Sequence, residues 1–121
     1  MEPLVFPAQQ AAQNPTERGE GSFIQVLLGP DQGAGRFATR KFTILPGGSI
    51  PAHFHPELEH EQYFLSGQIT LGLGASTRLV QAGDVVLIPP GTVHWYQNPG
   101  PEPAEFLCII PLGVDPATEW L

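Results

Sequence analysis

Four histidines carry most of the chemical potential of this chain, and three of them, His53, His55 and His60, fall within eight residues. On an extended strand, residues two apart project to the same face, so His53 and His55 can direct both imidazoles at one point. His60 follows the short turn Pro56-Glu57-Leu58-Glu59, from which a returning strand could bring it beside that pair. Imidazole is a good ligand for Zn, Cu, Fe and Ni, and a cluster of imidazoles favours no one of them decisively. Solvated loop histidines, or histidines satisfied within a core, are the simpler alternative. Other chemistries lack their signatures: there is no phosphate loop, no Gly-x-Ser-x-Gly elbow and no Cys-x-x-Cys. Cys108 sits in an apolar run with Phe106 and Ile110 and reads as a small buried hydrophobe.

The elements that must hold these residues are short strands. The chain has 121 residues, enough for one domain, with 14 glycines and 14 prolines spread along its length. Breakers at this frequency exclude a helical bundle and suit strands joined by turns. Strand-like runs fall at 23–28, 36–45, 50–55, 60–65, 68–73, 77–80, 84–88, 93–97 and 105–110, a spacing expected of a β-sandwich or small barrel. Residues 1–21 show no apolar period and read as an irregular N-terminal arm, with residues 22–121 forming the barrel domain. Asp115 as an N-cap and Pro116 at the first helical position predict a short C-terminal helix.

Charge narrows the partners. Twelve acidic residues against five basic ones give a formal net charge of −7. Phosphate backbones need clustered Lys and Arg, so neither nucleic acid nor an anionic membrane is an expected partner. The N-terminus lacks the basic start and apolar stretch of a signal peptide, and the single Cys108 cannot form an internal disulfide. A cytoplasmic protein is expected on these grounds.

Two stretches resemble the paired motifs of the cupin family. Gly47, His53, His55 and Gly67 match the first motif, in which Gly, His-x-His, Glu and Gly follow at set intervals. Gly83, Pro89, Gly91, His94 and Asn98 match the second without a gap. The resemblance implies a small single-domain cupin: an all-β, jelly-roll-like barrel (a double-stranded β-helix) that holds one divalent transition metal, whether Fe, Mn, Ni, Cu or Zn. It also implies that His94 joins the histidines of the first motif.

One departure from the family pattern has chemical content. Counting back from Gly67, the usual Glu position falls on His60, whereas Glu59 satisfies only the forward count from His55. A shift of one residue on a strand reverses the face. The strand leading to Gly67 holds register better than the variable turn after His55. The expected ligands are therefore His53, His55, His60 and His94, with Glu59 as the rival and Glu61 pointing away from the lumen. Four neutral imidazoles leave the full charge of a divalent ion to be balanced, which should attract an anionic chelating molecule.

Period-two counting from His60 sends Gln62 and Phe64 toward the same side, and counting from His94 does so for Tyr96, as substrate-pocket or core residues. Arg36, Arg40 and Lys41 form a basic cluster that could steer an acid toward the mouth or simply be solvated. The resulting expectation is a metal-dependent dioxygenase or oxidoreductase acting on a small anionic chelating organic molecule. A sugar-acid lyase or isomerase, or a non-catalytic binding or sensor module with a structural metal, stands as the alternative. The family's habit of pairing barrels through N-terminal strands predicts a homodimer, joined through Leu4-Val5-Phe6 or the 23–28 run.

Overall fold

A computed structural model of the chain describes residues 2–121. Ten strands appear in chain order: β1 (Gln13–Pro15), β2 (Glu20–Leu28), β3 (Phe37–Phe54), β4 (His60–Ser66), β5 (Gln68–Leu73), β6 (Ser76–Gln81), β7 (Val85–Ile88), β8 (His94–Gln97), β9 (Ala104–Pro111) and β10 (Glu119–Trp120). They form one curled sheet ordered β6-β5-β8-β3-β9-β4-β7, with β2 and β10 also on β3, and β1 on β2. The all-β barrel expected from the turn spacing is the observed architecture. The N-terminal arm is irregular apart from a 3-10 turn at Ala8–Gln10 and the three residues of β1.

The strand β3 organises the whole. The sequence suggested two strands broken at Pro46-Gly47-Gly48, but the chain stays extended for 18 residues and bends there. Gly47 takes a left-handed φ of 79°, and a Cβ at Gly48 would lie 2.6 Å from the carbonyl oxygen of Gly21. Only glycine permits that approach. Before the bend β3 pairs with β2 and β9, and after it with β8 and β10. One strand therefore carries Arg40 and Phe42 on one wall and His53 on the facing one.

Asn98, the last residue of the second motif, ties this bend in place. It is 4% exposed, and its Nδ2 donates to the carbonyls of Ile44 and Glu102, both at 2.8 Å. Its Oδ1 accepts the N–H of Gly100 at 2.7 Å. The backbone adds bonds from Gly47 N to Asn98 O and from Asn98 N to Gly48 O, each 3.0 Å.

Inward-facing residues build the core in cross-strand rows. Phe42, Phe106 and Phe64 are register partners on β3, β9 and β4, and they stack with centroids 5.1 and 4.6 Å apart. Tyr96 stacks on Phe106 at 5.3 Å. Offset aromatic pairs of this kind contribute roughly 0.5–1.5 kcal/mol each beyond their burial.

The expected C-terminal helix does not form. Asp115 Oδ1 accepts the N–H of Ala117 at 3.0 Å, a local turn, after which Glu119 and Trp120 pair with Phe54 and His53 as β10. A helical turn would leave its terminal backbone groups without partners, whereas an extended segment joins the existing edge of β3. No helix among the described residues is long and apolar enough to cross a membrane.

Asn98→Ala should cost about 2–4 kcal/mol, because it strands two buried carbonyls and an N–H at the bend. Urea denaturation would measure this, and a loss below about 0.5 kcal/mol would show that the backbone bonds alone hold the corner.

Candidate metal centre

The histidines converge from three strands and the loop after β3. His53 lies on β3, opposite His94 on β8. His55 follows the end of β3, and His60 opens β4. Ring centroids lie 4.2 Å apart for His53 and His94, 5.1 Å for His53 and His55, 4.6 Å for His55 and His60, and 5.6 Å for His60 and His94. Donor nitrogens of His53, His55 and His94 all lie within 4.8 Å of one another, a spacing that suits a shared metal ion. His60 stands beside that triple, 4% exposed.

Hydrogen bonds set which nitrogen is free. A carbonyl only accepts, so His53 Nδ1 donates to Pro51 O at 2.7 Å and His94 Nδ1 to Thr92 O at 2.9 Å. His55 Nδ1 faces Ala117 O at 3.3 Å and Thr118 Oγ1 at 3.1 Å. Each ring then keeps Nε2 as a bare lone pair, the arrangement in which a backbone acceptor orients a ligating imidazole. His60 Nδ1 is buried without a hydrogen-bond partner. Bare nitrogens aimed into one cavity, with no protein donor to satisfy them, fit a bound cation.

Burial also keeps these rings neutral. Desolvation pushes His55 and His94 down to about 4, with the neighbouring His53 adding to the effect. His60 falls to about 2, through burial first and the Arg40 guanidinium second. His53 is lowered by burial, partly offset by its bond to Pro51. The lone pairs are thus available near neutral pH without competition from protons.

A cavity of about 200 Å³ extends from the histidines into the barrel. Gln62 and Tyr96 line it, and Gln62 Nε2 donates to the Tyr96 hydroxyl at 2.7 Å. Burial raises the Tyr96 pKa well above its usual value, so the phenol stays protonated. Phe64 is fully buried in the aromatic row and lies outside the cavity lining. Glu59 and Glu61 are both solvent-exposed.

The basic cluster of the sequence divides three ways. Arg36 is exposed and Lys41 pairs with Glu105 at 3.1 Å, but Arg40 lines the cavity. The parity that Arg40 shares with Phe42 and Ile44 carried this signal. Trp120 also escaped sequence reasoning: its ring lies 4.9 Å from that of His53, brought there by β10 in place of a helix.

Residues 40–110 match the Cupin domain family over its characteristic barrel. The chain is a cupin. This cupin is 31% identical over 114 residues to the oxalate decarboxylase OxdC of Bacillus subtilis, covering 89% of the chain and 29% of that protein. It is 34% identical over 68 residues to Germin-like protein 5-1 of Oryza sativa, covering 50% of the chain and 30% of the relative. It therefore spans about a third of the length of these curated relatives. The solved structure of the polyketide cyclase RemF from Streptomyces resistomycificus superimposes with a TM-score of 0.87 at 28% identity, covering 100% of this cupin and 86% of that chain.

Depressed imidazole pKa values make stability depend on pH. Histidines in the unfolded chain take up protons as pH falls through about 6.5, while His55 and His94 do not until about pH 4 and His60 only below that. Stability of the metal-free protein should be constant above about pH 7 and decline as pH drops toward 4. Urea midpoints between about pH 7 and 5.5, above the carboxylate range, would register the decline. Equal midpoints across that interval would contradict neutral burial of the cluster.

Proposed function

We propose that this cupin is a metal-dependent enzyme whose substrate is a small anionic organic molecule that chelates through two oxygens, and that the reaction is ring closure of a compound bearing 1,3-related carbonyls. The carrying observation is a donor set made only of neutral imidazoles at the end of a largely apolar cavity lined by Ile24, Phe42, Ile50, Tyr96 and Trp120. Its apolar walls suit a molecule with a hydrophobic body better than a two-carbon acid. Similarity to the polyketide cyclase RemF along the whole chain supports this reading.

His53, His55 and His94, with His60 as the proposed fourth ligand, would hold a divalent ion of Fe, Mn, Ni, Cu or Zn. Bound there, the ion supplies Lewis acidity toward paired substrate oxygens. Tyr96 accepts its hydrogen bond from Gln62 and so keeps its own O–H free to donate to a substrate oxygen at the cavity wall. The apolar walls of the cavity, among them Ile24, Ile50 and Trp120, pack against the body of the substrate and exclude water from the reacting carbons.

A dioxygenase or oxidoreductase acting on the same chelate is the second reading, favoured by the similarity to OxdC over most of the chain. Oxygen consumption separates the two. Zn-loaded protein should convert an aromatic poly-1,3-diketone under argon as fast as in air, and His94→Ala should abolish conversion. Turnover only with a redox-active metal and with dioxygen uptake would replace cyclisation by oxygenation.

The ligand set has its own test, because His60→Ala should lose metal while Glu59→Ala, altering an exposed side chain, should retain it. Elemental analysis of both variants after identical loading would decide, and the reverse pattern would return the site to three histidines and a carboxylate.

We also propose that two copies pair. Leu4, Val5, Val26, Leu28 and Phe37 are each at least 42% exposed, leaving an apolar outer face at the arm and β2. Light scattering should report a dimer, and a monomer at micromolar concentration would contradict it.

A further inference from the structure

We infer that Arg40 is a carboxylate-binding subsite of the cavity, so that the substrate carries a carboxylate as well as its metal-chelating oxygens. This rests on the reading of the cavity as a metal-dependent small-molecule site.

Position comes from register. Arg40 on β3 pairs with Cys108 on β9, which pairs with Gln62 on β4. These three form one cross-strand row on the cavity wall. The aromatic row lies below it, and His60, two residues before Gln62, lies above it. A molecule with oxygens at the histidines that extends down this wall of the cavity must pass the row.

The row is polar and incompletely satisfied. Arg40 gives one terminal nitrogen to Cys108 Sγ at 3.1 Å and lays its guanidinium over Phe42 at 5.3 Å. Its Nε is buried without a partner, as is the Oε1 of Gln62. A guanidinium presents five N–H donors in a fixed fork suited to a planar oxyanion. A thiol is a weak acceptor and uses little of that capacity. Burying a cation without an anion is costly, and among the described residues no carboxylate pairs with Arg40. The salt bridge nearest in sequence belongs to Lys41 and Glu105, while the acid lining the cavity, Glu17, is exposed at its mouth.

Charge bookkeeping strengthens the assignment. The imidazoles are neutral ligands, so a divalent ion and Arg40 together bring three positive charges to walls that otherwise offer Glu17 alone. A chelating enolate or phenolate balances part of this, and a carboxylate on Arg40 balances the rest. The bare Oε1 of Gln62 is placed to accept a hydroxyl from the same molecule.

The test uses Zn-loaded protein and two probes, 3,4-dihydroxybenzoate and its neutral amide, which share the chelating catechol and differ at the carboxylate. Calorimetry should give the acid at least about tenfold tighter binding than the amide. Arg40→Gln should bring that ratio to about one while leaving the amide's Kd unchanged, and Arg40→Lys should restore part of the preference. Unchanged metal content and melting temperature would certify that the variant folds. A ratio that survives in Arg40→Gln, or equal weakening of both probes, overturns the inference. Metal-free protein supplies an arm independent of the metal reading: benzoate should raise the melting temperature of the wild type and not of Arg40→Gln, and no shift in either overturns the inference. Loss of the cyclisation activity with the acid preference intact would count against the proposed reaction and leave Arg40's assignment standing.

Discussion

Four imidazoles can crowd one end of a barrel only if none carries a charge. With ring centroids as close as 4.2 Å, protonation of any two would add like-charge repulsion to the cost of burying each cation. The barrel keeps them neutral by removing water, and it orients His53 and His94 by offering each Nδ1 a carbonyl two residues back in the chain. Satisfying one nitrogen in this way exposes the other. The same physics that lowers the pKa values therefore prepares the lone pairs.

The remainder of the fold brings these strands to one place and holds them at one height. The bend of β3 at Gly47-Gly48, locked by Asn98, lets one strand contribute to both walls, and β9 then sets the level of β4 against it. From that register come three successive layers: imidazoles, a polar row of Arg40, Cys108 and Gln62, and an aromatic floor of Phe42, Phe106 and Phe64. A bound molecule would meet metal and then cation, which is the physical basis for expecting a chelating acid.

Much of the site could be read from the chain because strand periodicity and turn glycines are local signals. His53-x-His55 announced a shared face, and the seven-residue step from His60 to Gly67 placed His60 inward while leaving Glu59 at the surface. Interactions between distant segments were less legible. Continuity of β3 through Pro46 depends on contacts with Gly21 and Asn98, which no local pattern reveals. The C-terminal residues carry a helix-start signature, yet pairing with the far end of β3 prevails. Arg40 belonged to a basic cluster that could steer an acid or simply be solvated, and its neighbours Arg36 and Lys41 do face water or an ion pair. Its parity with Phe42 and its register opposite Cys108 turn it inward.

The four-imidazole metal site we propose can be read directly by X-ray absorption spectroscopy of the metal-loaded protein at the metal edge. Multiple scattering from the rings counts imidazole ligands without reference to activity. Four imidazoles are expected, completed by light oxygen donors from water or substrate. A first shell of three imidazoles and a carboxylate, or of fewer rings with no loss on mutation of His60, would contradict this proposal.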